Sequence, residues 1–85
     1  FMNPIKRELL DLHRINHIDA EIFIDRFINK YWGKNSSARI ITGNSKAMKE
    51  IVISKLNFYN IKFTIGNEWE STSKSFIDFL IEWFV

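Results

Sequence analysis

The chain has 85 residues, 46% hydrophobic and 15% aromatic, with a net charge of +2 and no cysteine. Such a length suits a single domain over residues 1–85, and the apolar content excludes a disordered chain. The lack of cysteine excludes disulfide staples and thiolate zinc sites, and the weak charge requires any nucleic-acid binding to rest on a local patch. No apolar run approaches the ~20 residues that cross a bilayer. The charged stretch Lys6-Arg7-Glu8 argues against a signal peptide. A cytoplasmic location without membrane contact is therefore expected. Phe1, ahead of Met2, reads as a leftover before the natural start.

Taken in order, Leu9-Leu10-Asp11-Leu12-His13 reads as a first strand. Leu10 and Leu12 face one side, and Asp11 and His13 share the other at a spacing of two. Asn16 then serves as a helix N-cap, with Asp19 three residues on as a weak capping box. From His17 to Trp32 the pattern is helical: Ala20, Phe23, Ile24, Phe27, Ile28 and Tyr31 form an apolar stripe opposite a solvated Glu21, Asp25 and Asn29. Gly33 stops this helix, and Lys34-Asn35-Ser36-Ser37 reads as a polar loop.

Ala38, Ile40 and Ile41 form a second, buried strand that ends in the turn Thr42-Gly43-Asn44-Ser45. Ser45 is a plausible N-cap for a second helix, whose apolar face is Met48, Ile51, Val52 and Leu56. Lys46, Lys49, Ser54, Lys55 and Asn57 fall largely off that face, and Asn57 or Asn60 ends the helix through a left-handed residue. Ile61-Lys62-Phe63-Thr64-Ile65 alternates as a third strand, closed by Gly66-Asn67. Glu68 to Ser73, polar around Trp69, reads as a loop. Ser75 to Trp83 fits both periods, and its β-branched and aromatic content favours a strand.

This β-α-β-α-β-β order predicts a two-layer α/β sandwich, with two helices over a mixed four-stranded sheet. The first crossover makes strands 1 and 2 parallel, so their C-terminal ends share an edge. In open α/β sheets ligands bind beyond that edge. Asp11 and His13 end one strand there, and Thr42 to Ser45 follow the other.

A carboxylate beside an imidazole fixes the ring's orientation and favours its charged form, which suits proton transfer at a phosphodiester. The same spacing also fits a satisfied strand-end histidine with Asp11 as a loop cap. The turn before the second helix offers backbone N–H groups and a positive dipole end to an anion, with Lys46 and Lys49 adding charge. It also fits an ordinary strand-to-helix turn, and its spacing is not that of a P-loop. His13 and His17 lie four apart across a strand-to-helix transition, so no metal site is expected from them. Trp69 offers a stacking surface for a base or packs back on the sheet. The tail from Phe76 to Val85 is core, or an apolar patch through which copies self-associate.

Leu10-Asp11-Leu12-His13 matches the L-D-x-H motif of the Smr (small MutS-related) domain, and Ile40-Ile41-Thr42-Gly43-Asn44-Ser45 resembles that family's second motif, a T-G-x-G or H-G-x-G turn after strand 2. The resemblance covers roughly Leu9 to Leu80. It departs at Arg14, where the family usually has glycine after the motif histidine, and at Ser45, which replaces the last glycine of the turn. Smr domains resemble the C-terminal domain of a bacterial translation initiation factor in fold. Many nick DNA or cleave RNA, and others only bind nucleic acid. The resemblance implies a nucleic-acid-binding domain and candidate endonuclease, with Asp11 and His13 as the catalytic or substrate-orienting pair. Thr42, Gly43 and Asn44 would hold a backbone phosphate, and Arg14, Arg39, Ser45, Lys46 and Lys49 would add contacts. No cofactor is implied, and the need for a divalent metal stays open. The alternatives are a non-catalytic RNA- or DNA-binding module and a protein-interaction domain using the aromatic tail.

Overall fold

Each helix starts where a side-chain oxygen takes up a backbone N–H that the first turn leaves unpaired. In the structure, a computed structural model that describes residues 7–34, 36–43, 45–68 and 71–81, the elements are β1 (Arg7–Asp11), α1 (His17–Tyr31), β2 (Ser36–Ile41), α2 (Lys46–Phe58), β3 (Phe63–Glu68) and β4 (Ser71–Ile81). Asn16 caps α1: its Oδ1 accepts from the Asp19 N–H at 2.8 Å, and its Nδ2 donates to the Asp19 carboxylate at 3.0 Å. Ser45 caps α2 by accepting from the Met48 N–H at 3.1 Å. At the other end of α2, Asn60 takes a φ of 59°. The Ile61 N–H reaches back to the Leu56 carbonyl and the Asn60 N–H to that of Asn57. This is a Schellman closure, and its two apolar members, Leu56 and Ile61, are both buried.

The strands form one sheet in the order β1-β2-β4-β3. β1 and β2 are parallel, and β4 runs antiparallel to both β2 and β3. Alternate residues therefore divide between two faces. One face sends Leu12, Ala38, Ile40, Ile77, Phe79 and Ile81 into the core, where they meet Ala20, Ile24, Phe27 and Ile28 of α1 and Met48, Val52 and Leu56 of α2. The fold is thus the α/β sandwich expected, and the segment after Ser75 is a strand. Ile77, Phe79 and Ile81 of the aromatic tail are core residues, and Trp83, Phe84 and Val85 lie outside the described residues.

The expected strand boundaries move: β1 is Arg7–Asp11 rather than residues 9–13, and β3 begins at Phe63 rather than Ile61 and runs through Gly66 and Asn67, which were expected to close it. Ser36 and Ser37, read as loop, belong to β2, where they pair with Ile81 and Leu80. Glu68 extends β3, and residues 71–73 belong to β4, because ladder hydrogen bonds are made by backbone and need no apolar side chain. Trp69 lies outside the described residues. Glu21 and Asn29 are exposed as expected, but Asp25 between them is half-buried against α2. The Asp25 carboxylate accepts from Lys55 Nζ and from the Tyr59 hydroxyl, each at 2.9 Å, and Asn29 donates to the Tyr59 oxygen at 3.3 Å. Among the described residues, no helix is long and apolar enough to cross a membrane.

The second face of the sheet carries Leu9, Ile41, Phe76 and Leu80 around a cross-strand ion pair. Arg39 donates from Nε and Nη2 to both oxygens of Asp78, at 2.7 and 2.9 Å. Its guanidinium lies 3.7 Å from the centre of the Phe76 ring. That ring in turn lies across Gly66, the residue opposite it in the ladder, in the space a Cβ there would need. Substituting Gly66→Ala must displace a ring already pinned by Arg39. The expected loss is about 1–3 kcal/mol, the usual range for overpacking, read from urea unfolding.

The α1–α2 clasp makes a pH prediction. Burial alone would raise the Asp25 carboxyl, but the hydrogen bonds from Lys55 and Tyr59 and the Lys55 charge outweigh it and hold the group below its ordinary 3.8. The Asp25 hydrogen bond lifts Lys55 above its ordinary 10.5 against the effect of burial. The Asp25 contribution to stability is therefore complete above the unfolded value and lost as pH falls through the folded one; that of Lys55 is complete below 10.5 and lost as pH rises through its raised value. In thermal melts across pH, Asp25→Asn is expected to flatten both limbs relative to wild type.

Candidate functional site

Five residue pairs hold β1 against β2, ending with Asp11 opposite Ile41. The Leu12 N–H continues the ladder to the Ile41 carbonyl at 2.8 Å, and the Leu12 side chain is completely buried. The chain then turns: the Ile15 N–H closes back on the Leu12 carbonyl at 3.0 Å. His13 is therefore a turn residue, not the end of the strand. What joins it to Asp11 is not a shared pleat but an aspartate-closed turn, in which a side-chain oxygen takes the N–H two residues on. Asp11 Oδ1 accepts from the His13 backbone N–H at 3.0 Å and lies 2.6 Å from the His13 Nδ1.

This geometry sets the ring's protonation pattern. An acceptor on Nδ1 selects the tautomer with its proton there. Nε2 is left as the acceptor, and Arg14 Nε donates to it at 3.2 Å. Burial alone would raise the Asp11 carboxyl. The two His13 hydrogen bonds, with the charge of Arg14, outweigh it and hold the group below its ordinary value. The His13 and Asp11 side chains are 42% and 46% exposed, so both face solvent.

Past the end of β2, the chain bends at Gly43, whose φ of 68° favours glycine, and enters α2 at the Ser45 cap. The Thr42 and Gly43 N–H groups both donate to the Ser75 carbonyl, at 2.9 and 3.3 Å, and the Thr42 hydroxyl donates to the same oxygen at 3.2 Å. Thr42 is 1% exposed. These two residues, expected to cradle a phosphate, instead tie the turn to β4. Asn44 lies outside the described residues. Ser45 and Lys46 are exposed and Lys49 is half-buried, so the first turn of α2 is the part of this motif that faces outward. Arg39, on the open face of the sheet, is held by Asp78 and Phe76 rather than presented to a ligand.

The structure thus brings together Asp11, His13 and Arg14 in one turn. That turn shares a sheet edge with the α2 N-terminus, which carries Ser45, Lys46 and Lys49. Neither the Ser75 carbonyl nor the Asp78 partner of Arg39 has a local signal in the sequence, since both depend on the β2–β4 register. Among the described residues no group of three or more metal-ligating side chains converges, and His17 is exposed at the start of α1. A groove of about 570 Å³ lies on the open face beside Ser37, Lys62, Thr64, Asp78 and Leu80, and neither Asp11 nor His13 lines it. No protein-family model, curated protein or solved structure matches the chain.

The inward role of Thr42 is testable. Thr42→Val removes a buried hydroxyl that donates to a carbonyl, and is expected to cost about 0.5–1.5 kcal/mol in urea unfolding.

Proposed function

We propose that this is a small nucleic-acid-binding domain of Smr-like character that cleaves phosphodiester bonds in RNA or DNA with His13 as the proton-transfer group. The observation that carries the reading is the solvent-facing Asp11–His13 pair, 2.6 Å apart, which follows β1 at the sheet edge where the parallel β2 leads into α2. The L-D-x-H and T-G motifs and the β-α-β-α-β-β order support it.

In this reading Nε2 takes the proton from the attacking hydroxyl, a water or an RNA 2′-OH. The new O–P bond forms as the P–O bond to the leaving oxygen breaks, and the imidazolium returns its proton to that oxygen. Asp11 holds the ring in place. Lys46, Lys49 and the positive end of α2 offset the charge on the phosphate. Phosphate recognition also dominates affinity, so binding is salt-dependent.

The experiment is cleavage of labelled RNA and nicking of supercoiled plasmid by wild type, His13→Ala and Asp11→Asn, each with and without chelator. Loss of a positioned general acid–base group is expected to slow cleavage by roughly 10²-fold or more. Equal rates in wild type and His13→Ala would remove His13 from the chemistry. Lys46→Ala with Lys49→Ala is expected to weaken binding and to reduce the log–log salt slope by roughly 0.7–0.9 for each phosphate no longer neutralised. The Arg14 bond on Nε2 favours a second reading, binding without turnover. It predicts no cleavage by any variant, and salt-sensitive binding that survives His13→Ala.

A further inference from the structure

Arg14 sits on the one atom of His13 that the proposed chemistry needs. Nδ1 is held by Asp11 at 2.6 Å, and Nε2 accepts from Arg14 Nε at 3.2 Å. Both ring nitrogens are engaged. A lone pair that already accepts a hydrogen bond cannot take a proton until that donor leaves.

Three features make the donor removable. Arg14 is exposed, and among the described residues no ion pair anchors it elsewhere. The guanidinium has five N–H donors, and the bond to His13 uses only Nε–H. Finally, the acceptor it holds is a ring nitrogen, whereas a phosphate presents anionic oxygens in the paired geometry that a guanidinium fork fits best.

We propose that Arg14 is a phosphate-operated gate on His13: the oxyanion of an incoming phosphodiester draws the guanidinium off Nε2 and bares the base. The same movement delivers the cation to the phosphate. The ring is thus unmasked only when a substrate phosphate is bound, and base availability and charge stabilisation come from one residue. The gate rests on the reading of His13 as a base, but the hydrogen bond it concerns can be measured without any cleavage.

The test is acylation of the full chain by diethyl pyrocarbonate, which attacks an unprotonated imidazole nitrogen. The chain has two histidines, so His17, mapped on its own peptide, is the internal reference. In Arg14→Ala, His13 is expected to react roughly two- to tenfold faster than in wild type, the population shift that a hydrogen bond of ordinary net strength maintains. His17 is expected to react at the same rate in both. Inorganic phosphate, against sodium chloride at equal ionic strength, should raise the wild-type His13 rate toward that of Arg14→Ala and leave the variant's rate unchanged. Equal His13 rates in wild type and Arg14→Ala would overturn the gate, as would phosphate slowing the wild-type rate. Circular dichroism confirms that the variant is folded. A protein with this reactivity pattern but no cleavage would lose the nuclease reading and keep the gate. A protein that cuts nucleic acid with Arg14-independent His13 reactivity would do the opposite.

Discussion

Between β1 and β2 the pairing runs in register from Arg7 opposite Ser37 to Asp11 opposite Ile41, and Leu12 adds one more bond to the Ile41 carbonyl. Because the two strands run the same way, the chain must cross over between them, and α1 is that crossover. The same fact puts the Asp11–His13 turn and the entry to α2 on one edge. Register matters as much as direction. A slip of one residue would turn Leu10 and Leu12 out and carry Asp11 in. Leu12, completely buried, is the apolar anchor against that slip, so the residue between the two polar members of the motif is the one that fixes where they stand.

Asp11 makes two contacts with a single oxygen. Its Oδ1 closes the backbone of the turn and orients the imidazole of the next polar residue. The loop-cap reading and the catalytic reading of this carboxylate are therefore one arrangement. On the other side of the edge, Thr42 and Gly43 are committed to the Ser75 carbonyl.

The elements with a strong local signal were legible in the sequence. Asn16 and Ser45 are caps because their oxygens act within three residues, and Asn60 is the left-handed residue after α2. The parallel pair followed from element order. That Asp11 and His13 lie together was legible, but not the way they are joined. A spacing of two suggested that Asp11 and His13 share a pleat, yet the strand ends at Asp11 and a turn brings them together. Asp25 looked solvated because α1 alone does not say which polar flank meets α2. Arg39 looked available because its partner, Asp78, stands 39 positions away and directly opposite only in the folded register. Long-range pairing decides such cases, and no local pattern encodes it.

The Arg39–Asp78 pair has an effect on how the molecule meets its own copies. Leu9, at 58% exposed, and Leu80, at 52%, flank it on the uncovered side of the sheet together with Ile41 and Phe76. Without the pair this would be a continuous greasy strip, ready to stack on the equivalent strip of a neighbour. With it, such stacking would strip water from a guanidinium and a carboxylate, a penalty of several kcal/mol per ion. The pair thus sets a desolvation cost against burying this face.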